Sequence, residues 1–294
     1  YRALAAAAGV DVRTSTTATA WAGPHALAVT APGGLVELAA DAIVLASGCR
    51  ERPRAARLVA GDRPAGVLTT GALQQLLALP GQRIGGRRAV VVGAEHVSFS
   101  AVLTLAHAGV ATVAMVTEQP RHQSYAALAW LATGRHRVPV LTRSRVEVIR
   151  GRQRVEGVVV SDLVTGAERE LACDTVVFTG EWIPDHELAR QGGLTMDAGT
   201  RAPLVDGALR CSLPGVFAAG NLVHAAETAD VAALSGRHAA HAVHAFLSGR
   251  VWPSHPPLAI IAETPVRWVS PSAVAADVRQ VPHEHFLLRV DRFL

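Results

Sequence analysis

Three short apolar runs that end in glycine constrain the fold of this chain more than any other feature of its sequence. They are residues 43–48, 90–93 and 215–220. A short, continuous apolar run that ends in a turn residue is typical of a strand buried on both faces of a parallel sheet. Helical patterns lie between these runs, so the order of elements predicts an α/β fold with Rossmann-like parallel sheets.

The pattern around the second run predicts a βαβ unit with a right-handed crossover, followed by a meander of three strands. We expect the strands of the βαβ unit at 88–93 and 111–117 around a helix at 96–109, a further helix at 123–133, and the meander at 145–149, 155–161 and 168–172. Elsewhere the pattern predicts helices at 1–9, 70–79 and 229–247, and strands at 10–21, 26–30, 35–39, 174–180, 266–269 and 285–290.

The basic residues exclude several classes of chemistry. The 294 residues carry a formal charge of +4, and all 28 basic residues are arginine. Without lysine the chain forms no Schiff base and contains no GK[ST] phosphate loop. The arginines are scattered and aromatic residues make up only 4% of the chain, so we expect no nucleic-acid partner.

The cysteines and histidines give no sign of a dithiol or a metal site. Cys49, Cys173 and Cys211 form no C-x-x-C motif, and we interpret them as free thiols of a cytoplasmic protein. Histidines 238, 241 and 244 share one helix face without an acidic ligand in the nearby sequence, which favours a solvated face over a metal. The longest apolar stretch, 101–116, is interrupted by His107, so we expect no membrane span.

In order and spacing, the three glycine-ended runs resemble those of the pyridine nucleotide-disulfide reductase-like flavoproteins. The segments Ser-Gly-Cys-Arg-Glu-Arg-Pro at 47–53 and Gly-Val-Leu-Thr-Thr-Gly-Ala at 66–72 are similar to a connection in the large FAD subunits of sarcosine oxidase, opine oxidase, hydrogen cyanide synthase and dye-linked proline dehydrogenase. The resemblance covers about residues 41–247.

The resemblance implies a flavoprotein with two dinucleotide-binding domains. Residues 1–80 and 181–250 would form the FAD-binding domain, split around an inserted NAD(P)-type domain at 81–180. Residues 251–294 would form a C-terminal extension. Both ends interrupt an element pattern, so we expect the extension to be truncated and the first FAD phosphate loop to be absent.

The resemblance places FAD at the ends of the first and third runs. Ser47, Gly48 and Gly220 would lie against the cofactor, and glycine allows close approach of the backbone. The family has an aspartate where this chain has Asn221, whose amide can accept from a hydroxyl or donate to a phosphate. An asparagine in a turn, without any ligand, is the alternative. We expect Asn221→Asp to leave flavin loading equal or better.

The long helix at 229–247 would point its positive end at the flavin, with Asp230 and Val231 nearest to it. Asp230 also suits an N-cap. His224 and Glu227, in the loop before this helix, are candidates for handling a substrate proton; a surface loop without chemistry is the alternative.

The second run departs from a dinucleotide fingerprint. G-x-G-x-x-G is replaced by Gly93-Ala94-Glu95-His96-Val97-Ser98, which puts a carboxylate where backbone should approach a pyrophosphate. Glu118, at the end of the next strand, could bind a ribose hydroxyl or could be a solvated carboxylate. NAD(P) binding at this second site is therefore doubtful.

These patterns favour an FAD-dependent oxidoreductase. The resemblance implies that it takes a hydride from a small amine or amino-acid-like substrate onto flavin N5 and passes the electrons to a partner subunit or other acceptor. Two alternatives stay open: an NAD(P)H-dependent flavin reductase, and a non-catalytic nucleotide-binding subunit of a larger complex.

We expect the 294-residue chain to bind FAD only weakly. In the superfamily the first strand, glycine loop and helix N-terminus hold the FAD pyrophosphate, and nothing before Asp41 matches them. Titration of FAD into the purified chain, followed by flavin fluorescence, measures this affinity. Stoichiometric binding at micromolar or lower concentration would contradict the prediction.

Overall fold

A computed structural model of the protein describes residues 2–130, 133–134, 136–225 and 227–293. The chain divides into two compact units. Unit 1 comprises Tyr1–Cys49 and Pro184–Leu294, and unit 2 comprises Arg50–Ile183. The predicted α/β fold with parallel sheets is confirmed. The domain limits predicted from the sequence stay a prediction beside these two units.

The elements follow one another along the chain in three groups. The first is α1 (Arg2–Ala7), β1 (Thr17–Gly23), β2 (Ala26–Ala31), β3 (Gly34–Ala39), β4 (Ile43–Leu45) and β5 (Cys49–Arg50). The second is α2 (Arg54–Arg57), β6 (Ala60–Gly61), β7 (Val67–Thr69), α3 (Thr70–Ala78), β8 (Arg88–Val92), α4 (His96–His107), β9 (Ala111–Val116), α5 (Ala126–Trp130), β10 (Val140–Leu141), β11 (Ser144–Arg150), β12 (Gly157–Asp162), β13 (Glu168–Ala172), β14 (Thr175–Phe178) and β15 (Ile183–Pro184). The third is α6 (Glu187–Gln191), β16 (Val216–Ala218), a 3₁₀ helix (Gly220–Leu222), α7 (Ala229–Leu247), β17 (Leu258–Ala259), β18 (Val266–Ser270), β19 (Ala273–Val274), a 3₁₀ helix (Pro282–Glu284) and β20 (Leu287–Val290).

Unit 1 contains a parallel strand pair and an antiparallel sheet. Strands β1, β2 and β3 form the sheet in that order, and β4 pairs in parallel with β16. The core collects apolar residues of both paired strands and of α7, among them Ile43, Leu45, Val216 and Ala239. The two strands therefore end side by side within a packed core.

Unit 2 contains a five-stranded sheet in the order β10-β9-β8-β14-β7, in which every neighbouring pair is parallel. A four-stranded sheet, β13-β12-β11-β6, holds the meander. Strand β8 is buried on both faces: Val91 belongs to one core with Phe99 and Leu105 of α4, and Val90 to another with Ile149 of the meander. Burial on both faces explains why this strand reads as a continuous apolar run.

Most predicted elements are present, and their limits differ most at the first strand and at the helix after β9. The strand expected from residue 10 begins at Thr17, because residues 11–16 contain a turn at Ser15, whose φ is +53°. The helix expected at 123–133 begins only at Ala126, and its end falls partly outside the described residues. The Thr-rich segment before β1 and the Gln-Ser segment before α5 have local propensities for strand and helix. Tertiary packing overrides these propensities.

Candidate functional site

Two glycines follow the carboxyl ends of the parallel strand pair in unit 1. Leu45 of β4 lies opposite Ala218 of β16, and Gly48 and Gly220 follow shortly after these residues. Both glycines have left-handed backbones, with φ of +77° and +68°. Open space surrounds the position that a side chain on Gly48 would take. A ligand could therefore approach the backbone closely at this edge.

Ser47 is held by backbone in the same unit. Its hydroxyl donates to the Asp185 carbonyl at 2.7 Å, and the Asp185 N–H donates to the Gly48 carbonyl at 2.9 Å. The Gly220 N–H donates to the buried Ser235 hydroxyl of α7 at 3.0 Å. These bonds fix the backbone around both glycines.

Asn221 holds the loop before α7. Its Nδ2 donates to the Glu227 carbonyl at 3.0 Å, and its Oδ1 accepts from the Glu227 N–H at 3.1 Å. The side-chain amide therefore pairs with the backbone of Glu227 as a peptide group would. This pairing closes the loop that contains His224. Its assignment as a cofactor ligand stays a prediction, because this structure gives both of its polar atoms a partner within the chain.

The start of α7 differs from one expectation. The helix begins at Ala229 with Thr228 as its N-cap, so Asp230 is not the capping residue. Asp230 is exposed in the first turn, and a hydrogen bond from the Thr228 side chain lowers the pKa of its carboxyl group. Val231 follows in the same turn and is half-buried.

His224 is the buried titratable group of this loop. Only 2% of the residue is exposed, and neither ring nitrogen has a hydrogen-bond partner among the described residues. Burial lowers the pKa of His224 from 6.5 to about 4, and the nearby His283 adds to the shift. The ring is therefore neutral at physiological pH. Its unsatisfied nitrogens carry a free-energy cost that a ligand or relay partner could remove.

Unit 2 has a cavity of about 620 Å³ at the carboxyl ends of β8, β9 and β14. The sheet order places its topological switch beside β8 and β14, which is where open α/β sheets bind ligands. Its volume is in the usual range of small-molecule sites. The three residues expected at the second nucleotide site, Gly93, Glu95 and Glu118, all line this cavity.

The Glu95 carboxylate lies at the carboxyl ends of the strands, beside Gly180 and Trp182. Oε2 accepts from the Trp182 indole Nε1 at 3.2 Å, and Oε1 lies 2.5 Å from the place where Gly180 would carry a Cβ. Glu95 is also the N-cap residue of α4, where its backbone N–H donates to the Ser98 hydroxyl at 3.0 Å. The carboxylate therefore lies beside the helix start that would receive a pyrophosphate.

An arginine pair that sequence reasoning did not identify lines the same cavity. Glu181 accepts from Arg52 at 2.9 Å and from Arg57 at 2.8 Å, and the Arg57 side chain is only 10% exposed. Burial lowers the pKa of Arg57, while Glu181 and Glu95 oppose that shift. One carboxylate thus faces two guanidinium groups, so these three side chains together keep a net positive charge.

Glu118 forms a bidentate pair with Arg145, a second partner that the sequence did not reveal. The Arg145 guanidinium donates to the two carboxylate oxygens at 2.8 and 3.0 Å, and both side chains are about half exposed. This pair raises the pKa of Arg145. A ribose hydroxyl would compete with Arg145 for Glu118, and a 2′-phosphate would compete with Glu118 for Arg145.

None of the three cysteines forms a disulfide among the described residues. Cys173 lies in unit 2 and Cys211 in unit 1, and both are buried. Burial raises the pKa of Cys173 to about 11 and that of Cys211 to about 12. These two thiols therefore stay protonated at neutral pH and are poor nucleophiles.

The parallel sheets with a meander are those of the α/β flavoprotein fold. The profile of the pyridine nucleotide-disulphide oxidoreductase family matches residues 3–236. The chain belongs to this family, and the expected class of FAD-dependent oxidoreductase is confirmed at this level.

Named relatives are reductases. Thioredoxin reductase of Treponema pallidum (strain Nichols) is 26% identical over 62% of this chain and 64% of that protein. The structure of T. acidophilum thioredoxin reductase has a TM-score of 0.67 at 19% identity, covering 84% of this chain and 79% of that one. A NAD-dependent persulfide reductase from A. fulgidus has a TM-score of 0.64 at 23% identity, covering 90% and 50%.

The similarity to each of these relatives covers only part of that protein. The match spans less than two thirds of the Treponema protein, and the two structural matches show the fold alone. None of the three relatives is named for amine oxidation. The doubt about NAD(P) is not confirmed, since one relative is NAD-dependent by name. Among the described residues, no helix has the length and apolar character of a membrane span.

We expect Asn221→Asp to loosen the loop before α7. The carboxylate cannot donate to the Glu227 carbonyl and would repel it, at a cost of about 1–3 kcal/mol. Urea unfolding of the chain measures the loss. Asn221→Ser is the control without the charge; equal stability of wild type and Asn221→Asp would show that the clamp is unimportant.

We expect His224 to make stability fall in mild acid. The folded pKa of about 4 lies below the ordinary 6.5, so the unfolded chain binds the proton first. This contribution is complete above pH 6.5, falls as the pH drops towards 4, and totals roughly 3 kcal/mol. His224→Leu should remove this part of the profile of unfolding free energy. An identical pH dependence in both proteins would refute the assignment.

Proposed function

We propose that the protein is an FAD-dependent oxidase or dehydrogenase of a small amine or amino-acid-like substrate. The substrate transfers a hydride to flavin N5, and the electrons then pass to a partner subunit or other acceptor. The substrate class is supported by the resemblance of residues 47–53 and 66–72 to the FAD subunits of amine-oxidising enzymes.

The edge of unit 1 fits a flavin. Gly48 and Gly220 offer backbone without side chains at the ends of two paired strands, and Gly48 borders open space. Helix α7 is 19 residues long and begins a few residues further along the chain. Bound FAD would supply the hydride acceptor. The chain's own part is to hold the backbone around it, through Ser47 and Ser235, and to manage protons near His224.

The position of the Glu95 carboxylate is the observation that favours the amine substrate over a nicotinamide dinucleotide as the electron donor. The residues of the unit 2 cavity do not fit the pyrophosphate of a nicotinamide dinucleotide, because this carboxylate lies at the strand ends against Gly180 and Trp182. Two like charges about 4 Å apart repel by about 4 kcal/mol at an effective dielectric constant of about 20. Arg52 and Arg57 share the one carboxylate of Glu181, and Arg57 also attracts Glu95, so the arginines offset part of this repulsion. The four glutamates that line the cavity still outnumber its three arginines.

Dithiol chemistry of the thioredoxin reductase kind has no support in this chain. Such chemistry needs two cysteines that can form a disulfide with each other, and Cys49, Cys173 and Cys211 form no C-x-x-C motif. Two of them are buried with raised pKa values. The cysteines therefore do not favour exchange of electrons between the flavin and a dithiol of this chain.

An NAD(P)H-dependent flavin reductase is the second candidate. It is favoured by the cavity at the topological switch of unit 2 and by the NAD-dependent name of one structural relative. In that case Glu95 would swing away from Trp182 when the nucleotide binds. Variants of Glu95 distinguish the two candidates.

We expect the wild-type chain to show no binding of NADH or NADPH at millimolar concentration in calorimetry. Glu95→Gly removes the carboxylate and should raise the affinity at least about tenfold. Glu95→Gln keeps the bulk and an acceptor for Trp182 but removes the charge, so it separates repulsion from steric hindrance.

The holoenzyme, assayed anaerobically with saturating FAD, completes this test. A primary or secondary amine or an amino acid should bleach the flavin, whereas NADH should not. Rapid bleaching by NADH together with tight binding to the wild-type chain would replace the amine oxidoreductase by the reductase.

A further inference from the structure

His224 is a buried polar side chain whose two ring nitrogens have no partner among the described residues. Native structures rarely leave such groups unsatisfied without a functional reason. His283 also has an unsatisfied ring nitrogen, since its Nε2 is buried without a hydrogen-bond partner among those residues. Both residues lie in unit 1, in the loop before α7 and in the 3₁₀ helix Pro282–Glu284.

Three imidazoles form a row from the interior of unit 1 to its surface. The ring centroids of His224 and His283 are 6.0 Å apart, and those of His283 and His285 are 5.9 Å apart. Exposure increases along the row: His224 is buried, His283 is half-buried and His285 is exposed. At these spacings, one bridging water or a small rotation of a ring links each pair by hydrogen bonds.

The backbone holds the middle of the row in an uncommon conformation. His283 and Glu284 have φ values of +61° and +60°, which residues other than glycine seldom adopt. Strain of this kind concentrates at functional sites. The 3₁₀ helix packs against α7, whose His238 also acts electrostatically on His283 and contacts the Gly207 carbonyl at 2.7 Å through Nε2.

We propose that His224, His283 and His285 form a proton path between the loop before α7 and solvent. This inference rests on the proposed function, in which the hydride leaves the substrate for FAD and a substrate N–H proton must also leave. One ring nitrogen of His224 takes that proton while its other nitrogen releases one towards His283, and His285 delivers it to water. One proton enters and one leaves, so the row gains no charge and exchanges no electrons.

Chemical rescue tests the path in the holoenzyme. His283→Ala should slow anaerobic flavin reduction by the amine about ten- to a hundredfold and change its pH profile. Added imidazole should restore the rate in a saturable way. His255→Ala, an exposed histidine of the same unit outside the row, should leave the rate unchanged. An unchanged rate and pH profile in His283→Ala would overturn the path while leaving the amine activity intact.

A second experiment needs no flavin or substrate. In the chain with isotope-labelled histidine, NMR saturation transfer measures exchange of the His224 imidazole proton with water. His283→Leu, which fills the space without a proton carrier, should slow this exchange at least about tenfold, and exposed His285→Gln should slow it less. Equal exchange in wild type and both variants would overturn the path, even if the proposed substrate class fails.

Discussion

Parallel pairing of strands is the constraint on which both candidate regions depend. In unit 1, Leu45 pairs with Ala218; in unit 2, Val92 pairs with Phe178. Parallel neighbours end at the same edge of a sheet, so the segments that follow them must converge. In unit 1 the segments that contain Gly48 and Gly220 follow these strand ends. The pairing in unit 2 likewise brings the Glu95 segment against Gly180.

Charges in the unit 2 cavity are largely satisfied by one another. Glu181 forms ion pairs with two arginines, and Glu118 forms one with Arg145. Glu95 accepts a hydrogen bond from the indole of Trp182. An anionic ligand must therefore separate existing pairs as well as meet the free energy of its own desolvation. The cavity has the position of a nucleotide site and is lined by both acidic and basic side chains.

In unit 1, ring nitrogens of two histidines are buried without hydrogen-bond partners among the described residues. His224 is neutral and buried in a loop that Asn221 closes through Glu227, and His283 approaches it from a segment with left-handed backbone. Buried unsatisfied nitrogens and backbone strain both lower stability. Retaining them together in one place is consistent with a site whose groups act on a ligand or a proton rather than on the fold.

The sequence by itself determined the elements: the runs ending in glycine, the hairpin of β2 and β3, helix α7 to the residue, and the loss of the second fingerprint glycine at Glu95. These features depend on local periodicity and on backbone conformations that are set by neighbouring residues in the sequence. Only the tertiary structure decided which side chains meet. Arg145 reaches Glu118, Trp182 reaches Glu95, and His283 reaches His224 across long stretches of chain. Local patterns carry no signal for such contacts, because strand order and packing, rather than spacing along the chain, set the distances between them.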